Sequence, residues 1–104
     1  MKTSELTGAA LDWAVANCEY FPVRYGFDDN CPEYSTNWAQ GGPIIEREGI
    51  NLKRVTDALW EATIMGEWTE DGPTPLIAAM RCYVGSRLGN EVEIPAELME
   101  GENQ

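Results

Sequence analysis

The side chains best suited to binding a ligand lie in the segment Tyr34–Arg47 and in a helix predicted near the end of the chain. Trp38 could either fill the core or stack its indole on a base, while neighbouring hydroxyl and amide groups bond the polar edges of that base. A helix N-terminus and an arginine both suit phosphate. The candidate ligand-binding residues are Ser35, Asn37, Trp38, Gln40, Arg47, Thr74 and Arg81. A salt bridge from Arg81 to one of the many acidic residues explains its position in the middle of a helix as well as a ligand-binding role does.

The composition argues against catalysis. The chain has no histidine, which removes the commonest general base and the Ser-His and Cys-His nucleophile pairs. Its three cysteines are irregularly spaced, and without histidine a zinc site would need carboxylates or a partner chain. Glu46 and Glu48 would point apart on a helix, and the acidic segment 28–30 lacks the distal glutamate of a calcium loop. We therefore expect free, mostly buried thiols, no catalytic residues, no metal and no cofactor.

The charge balance restricts the choice of partners. Eighteen acidic residues face seven basic ones, a formal net charge of −11, which opposes association with DNA, RNA and anionic membrane surfaces. Residues 1–90 carry 13 acids and 7 bases, or −6, so the end of the chain exaggerates the acidity of the body. The charge can serve solubility, which we favour, or mimic a phosphate backbone. We expect neither a direct nucleic-acid partner nor a membrane.

The length and hydropathy predict one small domain in the cytoplasm. A chain of 104 residues has room for one modest core. No apolar run approaches the roughly 20 residues of a membrane span. The N-terminus lacks the basic region and the apolar core of a signal peptide.

The first half of the chain predicts one long helix and one irregular segment. Residues 3–18 carry an apolar stripe and form the first helix, with Trp13 in the core. Residues 19–24 are either an edge strand or an extended connector, and 26–33 form a polar loop. Ser35 or Thr36 caps a short turn that Gly41-Gly42 ends. Pro43 then starts a second short helix over residues 44–48, which Gly49 terminates.

The second half predicts a hairpin and a final helix. Residues 50–55 and 58–65 alternate as two antiparallel strands, and the candidates for a further strand are 20–24, 91–94 and a second copy of the chain. Residues 66–72 read as an acidic loop carrying Trp68. Thr74 caps a helix that Pro75 begins and Gly89 ends. Its buried stripe comprises Leu76, Ile77, Met80, Val84 and Leu88, with Tyr83 at the margin.

These elements predict a small α+β fold. N-terminal and C-terminal helices pack on an antiparallel β-hairpin or small sheet, and a short middle helix is added. Residues 1–95 form the single domain, and residues 96–104 form an acidic, frayed tail.

Three blocks of sequence, residues 1–16, 35–48 and 72–84, resemble the NinX-like family of temperate-phage proteins, whose members are mainly described as a domain of unknown function. The family has an aspartate just before the tryptophan, where this chain has Asn37, and either residue can cap a turn. The resemblance implies a small accessory protein made in the cytoplasm of an infected or lysogenic bacterium, and not a part of the virion. It supplies no established catalytic residue.

Three functions are compatible with these observations. The first is a non-enzymatic anti-defence protein that sequesters a small nucleotide-derived immune signal in a pocket shared between protomers of a homo-oligomer. The second is an acidic inhibitor that docks on the basic groove of a host enzyme. The third, hydrolysis of the signal with a metal, ranks last because the metal-ligand set is missing.

Overall fold

The computed structural model describes residues 1–19 and 31–94, and within them it has the α+β architecture expected. Three α-helices accompany a three-stranded antiparallel sheet with the order β1-β2-β3. The elements are a 3-10 turn at Thr3–Glu5, α1 at Gly8–Glu19, α2 at Trp38–Glu48, β1 at Asn51–Thr56, β2 at Leu59–Ile64, β3 at Trp68–Gly72 and α3 at Pro75–Leu88.

Helix α3 is the centre of the fold. It contacts the sheet on one side and α1 and α2 on the other. The predicted start is confirmed: Thr74 Oγ1 accepts from the N–H of Ile77 at 3.1 Å, and Pro75 follows at the first helical position. Because other elements cover α3 on both sides, it buries residues beyond the single apolar stripe that was predicted. These additional buried residues include alanines, Cys82 and Tyr83. Leu88, expected in the core, is instead exposed.

The third strand comes from a segment predicted to be a loop. Residues 68–72 pair with β2 from Trp60↔Gly72 to Ile64↔Trp68. The face of β3 turned toward α3 carries Trp68, whose indole lies against Gly85. A Cβ atom added to Gly85 would be 2.1 Å from Trp68 Nε1. The prediction of an acidic loop was wrong because the charged residues of this segment concealed its alternation.

Helix α2 is continuous through Gly41-Gly42 and Pro43, so the predicted break there was also wrong. Asn37, and neither Ser35 nor Thr36, is the N-cap, with Oδ1 accepting from the N–H of Ala39 at 2.9 Å. Gly49 ends the helix as predicted, in the left-handed conformation with φ 65°. The N–H groups of Gly49 and Ile50 bond to Glu46 and Ile45 as in a Schellman motif.

The N-terminal residues form a separate strap before α1. The predicted helix over 3–18 divides into the 3-10 turn and α1, and Gly8 has φ 56° where the division occurs. Thr3 donates from its N–H to Asn90 O at 2.8 Å and from Oγ1 to Gly89 O at 2.5 Å. Residues 91–94 contact the strap at one isolated β-bridge, Lys2↔Glu91, and through hydrogen bonds between Met1 and Val92, and they add no strand to the sheet.

Several predictions concern residues outside the described ranges. These are the extended segment from residue 20 onward, most of the polar loop 26–33 and the tail 96–104. Cys18, Cys31 and Cys82 are free, as expected, but only Cys82 is fully buried, so the expectation that most of the thiols are buried was wrong. Trp13 is half-buried and packs against the core. Across residues 1–19 and 31–94, the helices are too short or too polar to traverse a bilayer.

Candidate functional site

Helices α2 and α3 run side by side in the same direction. Near their starts, a Cβ on Gly41 would lie 2.6 Å from Leu76 Cδ1. Near their ends, Arg47 contacts Tyr83 and Glu48 contacts Arg87. Both N-termini therefore lie at one end of the helix pair, and both C-termini lie at the other.

Four of the seven candidate residues gather at the N-terminal end of this pair, which we call the Trp38 end. Asn37, Trp38, Gln40 and Thr74 are all exposed there. The Trp38 side chain is 53% exposed, and its indole lies along α2 near Gly42, whose Cβ would be 3.7 Å from Cε3. Neither helix has an acidic residue in its first turn. The Trp38 end thus combines an exposed indole ring with the N-termini of two helices. No acidic side chain in either first turn neutralises the positive partial charge of these N-termini.

Ser35 has a different environment from these four residues. It is 2% exposed, and its N–H donates to Asp12 Oδ1 at 2.8 Å, which joins the start of α2 to α1. Its hydroxyl oxygen is buried and has no hydrogen-bond partner among the residues that the structure describes. Ser35 therefore supports the segment that carries Trp38 from beneath.

Arg81 is used inside the fold. Its Nε donates to Leu6 O at 2.7 Å, and its Nη1 donates to Asp71 O at 2.9 Å. Desolvation by burial lowers the pKa of the guanidinium, and Asp71 opposes that shift. Main-chain carbonyls, and not the carboxylate that was one of two explanations from sequence, bind this mid-helix arginine. It ties the N-terminal strap to β3.

Arg47 belongs to a cluster at the opposite end of the helix pair, formed by Glu19, Arg47, Glu48, Tyr83 and Arg87. Arg47 donates to both carboxylate oxygens of Glu19 at 2.6 and 3.1 Å, and to Glu48 at 2.8 Å. The Tyr83 hydroxyl donates to Glu19 at 2.5 Å. Arg47 and Arg87 stand 5.8 and 5.2 Å from the centre of its ring. We call this group the arginine–tyrosine cluster.

The electrostatics of the arginine–tyrosine cluster are internally balanced. The hydrogen bond from Arg47 lowers the pKa of Glu19 and of Glu48, against the effect of burial. Burial, aided by the Glu19 carboxylate, raises the pKa of Tyr83. Burial also raises the pKa of the nearby Cys18 thiol to about 12, which leaves it protonated and unreactive at neutral pH. Two guanidinium groups thus face two carboxylates, and the cluster joins the ends of all three helices.

The chain is similar in sequence to a known family of phage proteins. The model of the family described as "Bacteriophage P22, NinX" matches residues 2–87. The chain belongs to this phage protein family. The matched range contains all seven candidate residues and the whole arginine–tyrosine cluster. No curated protein sequence matches the chain.

A polar cavity of about 280 Å³ lies beside the N-terminal strap, away from the Trp38 end. Its lining comprises Lys2, Ser4, Glu70, Asn90 and Glu91. The last two of these residues follow the range matched by the NinX family. In the described part of the chain, no three His, Cys, Asp or Glu side chains are grouped to hold a metal ion.

The sequence analysis missed the partners of the two arginines. Glu19 lies 28 residues before Arg47, and Leu6 lies 75 residues before Arg81. One signal was present: Glu19, Arg47 and Arg87 each occur near the end of a helix, and their charges are complementary. Pairing them also requires the topology that brings those ends together.

Proposed function

We propose that this NinX-family phage protein is a non-enzymatic binding protein that sequesters a small nucleotide-derived immune signal of the host. It would act in the cytoplasm of the infected or lysogenic bacterium. The observation that carries the proposal is the half-exposed indole of Trp38 on the first turn of α2, beside the start of α3. A large exposed aromatic beside two helix N-termini suits a ligand with both a base and a phosphate.

Each part of the Trp38 end has a defined role in this proposal. The indole of Trp38 stacks on the base, and the Gln40 amide bonds a polar edge. The phosphate lies at the helix starts capped by Asn37 and Thr74, whose first turns lack acids. Arg47 and Arg81, first considered for phosphate, keep their internal partners. The binding charge therefore comes from main-chain dipoles, and this reduces the conflict with a net charge of −11.

We further propose that two copies of the chain enclose the ligand. An indole on the outside of a helix covers only one face of a base, so the second face needs another surface. A homo-oligomer that brings two Trp38 ends together supplies it. If two copies of the chain share one pocket, one ligand molecule should bind per two protein chains.

The test compares depletion of nucleotides by the wild type and by matched variants. Purified protein is mixed with cyclic and linear nucleotide signals, and the free ligand is measured after ultrafiltration, together with the melting temperature. Trp38→Ala should abolish depletion while leaving the melting temperature nearly unchanged. Met65→Ala, which removes another exposed apolar side chain at the opposite end of α3, should bind as the wild type does. Failure of the wild type to deplete any nucleotide, or equal depletion by Trp38→Ala, would refute the proposal.

An alternative proposal is an acidic inhibitor of a host enzyme. Arg47, Arg54 and Arg87 are all paired with carboxylates of the same chain, while other acids such as Glu33 and Glu46 are exposed. A basic groove would therefore meet a mostly negative surface. A stoichiometric protein partner recovered from host lysate and released by high salt would support this function over ligand sequestration.

A further inference from the structure

Among residues 1–19 and 31–94, nothing pairs with the outer edge of β1. Within the described residues β1 pairs with β2 alone, and only Leu52 of its six residues is even half-buried. The opposite edge of the sheet is used differently. There, the carbonyls of Trp68 and Asp71 in β3 accept bonds from Cys82 and Arg81 of α3. An incoming strand could therefore extend the sheet at β1 and not at β3.

The β1 edge also carries an unusual charge for this chain. Lys53 and Arg54 are the only two basic residues adjacent in the sequence, and both are exposed in the middle of the strand. Successive side chains point to opposite faces of a sheet, so each face of the edge presents one cation. The neighbouring carboxylates, Glu61 opposite Lys53 and Asp57 bonded to Arg54, lie on the β2 side or in the turn.

This charge pattern disfavours a second copy of the chain as the added strand. A two-fold antiparallel pairing of β1 with itself, centred on Lys53 or on Arg54, would set that cation directly against the same residue of the copy, and like charges in directly opposed positions are destabilising. The register shift between Arg54 and Thr56 further interrupts a regular edge. Central lysines and bulges are the features by which edge strands avoid self-association.

We propose that the β1 edge binds an extended, acidic peptide segment of another protein by strand addition. The main chain of the peptide would continue the ladder of Asn51–Thr56, which supplies affinity without sequence preference. Two successive acidic residues of the peptide would lie opposite Lys53 and Arg54, one on each face, at roughly 5 Å between Cβ atoms. A nucleic acid would meet the same charges but cannot continue a peptide hydrogen-bond ladder. This surface is independent of the Trp38 end.

The first experiment exchanges charges between protein and peptide. A fluorescein-labelled peptide, Thr-Val-Glu-Asp-Val-Thr, is titrated with the full chain, and binding is followed by anisotropy. The double variant Lys53→Glu/Arg54→Glu should weaken binding at least tenfold, whereas a peptide with Lys-Lys at its centre should bind the double variant better than the wild type. Both positions are exposed, so the variant should remain folded, with a modest fall in melting temperature because residue 53 then sets a carboxylate opposite Glu61. An acidic peptide that binds neither protein, or both equally, would overturn the proposal.

The second experiment tests for the backbone ladder itself. Strand addition uses the N–H groups of alternate peptide residues, because the others face away from the edge. N-methylation of one alternating set should therefore abolish binding, while methylation of the other set should be tolerated. Equal binding of both methylated peptides would show that charge alone attracts the ligand, and this would contradict strand addition. A dimer that the double variant abolishes would assign the edge to a second copy and equally overturn the proposal.

Discussion

Substitution of the two adjacent glycines of α2 provides a sharp test of how this helix is held. Gly41 and Gly42 differ in what an added methyl group would meet. At Gly41 a Cβ would lie 2.4 Å from the main-chain oxygen of Tyr34 and 2.6 Å from Leu76 Cδ1. At Gly42 the nearest atom outside the helix backbone and the flanking residues is Trp38 Cε3, at an ordinary 3.7 Å. The same chemical change therefore creates a collision at one position and a normal contact at the next.

The expected free energies follow from three contributions. Glycine inside a helix is about 1 kcal/mol worse than alanine, so both substitutions gain that amount from propensity. At Gly41, overpacking against a backbone atom costs about 3 kcal/mol, which leaves Gly41→Ala about 2 kcal/mol less stable than the wild type. Gly42 precedes Pro43, and a residue with a Cβ is disfavoured in helical conformation before proline, so Gly42→Ala should stay within about 1 kcal/mol of the wild type.

Urea unfolding followed by circular dichroism measures both variants against the wild type. For a domain of this size, a loss of about 2 kcal/mol corresponds to a fall in melting temperature of roughly 8–16 °C. Gly41→Ala should show this loss, whereas Gly42→Ala should not. Equal stability of the two variants would mean that α2 does not pack on Leu76 as described, and the parallel helix pair that forms the Trp38 end would be refuted.

Three further predictions concern other contacts of the fold. Because Arg47 lowers the pKa of Glu19 below its usual 4.5 in the folded state, the stability contributed by this carboxylate is present above pH 4.5 and lost as the pH falls through the lower folded pKa. Urea unfolding should therefore find Glu19→Gln less stable than the wild type at pH 7, by about 1–3 kcal/mol, with a gap that closes in acid. Glu46→Gln is the control, and a gap independent of pH would contradict the pairing. Met65 is 80% exposed with φ 53° in the turn before Gly66, so Met65→Asn should raise the melting temperature through a gain of about 0.5–1 kcal/mol; a fall would show that Met65 is not strained. Arg81→Met leaves two carbonyls without their donor and should cost about 2 kcal/mol in the same unfolding assay, whereas unchanged stability would return Arg81 to the candidate ligand residues.

Local sequence signals were sufficient where the relevant contacts are local. Thr74 and Pro75 define the start of α3 through a bond within one turn, and Gly49 ends α2 through its own backbone conformation. The hairpin of β1 and β2 follows from alternation, and Ala62 and Ile64 lie on its buried face.

Tertiary packing decided the elements that the sequence analysis got wrong. Gly-Gly-Pro has a poor helix propensity, but Gly41 permits the close approach of α2 to Leu76, and that packing favours one continuous helix. Strand β3 has acids at two of its five positions, yet Glu70 accepts from the Trp68 indole at 2.9 Å and its strand is held between β2 and α3. The contacts of Gly41 with Leu76 and of Trp68 with Gly85 join residues that are far apart in the sequence, so no local pattern identifies them.

The candidate ligand-binding residues also divide into those whose position local sequence predicts and those whose role depends on tertiary contacts. Asn37, Trp38, Gln40 and Thr74 are exposed at helix starts, which capping rules and residue type could anticipate. The roles of Arg47 and Arg81 depend on Glu19 and on the Leu6 carbonyl, which reach them only in the folded chain.

The most direct measurement of the central claim is mass spectrometry of small molecules that accompany the protein purified from phage-infected, signal-producing cells. Wild type and Trp38→Ala are purified in parallel, matched for melting temperature, and heated to release what they hold. We predict a nucleotide-like molecule from the wild type and a strongly reduced amount from Trp38→Ala. The same molecule in equal amounts from both proteins, or none from the wild type, would contradict a ligand site at the Trp38 end.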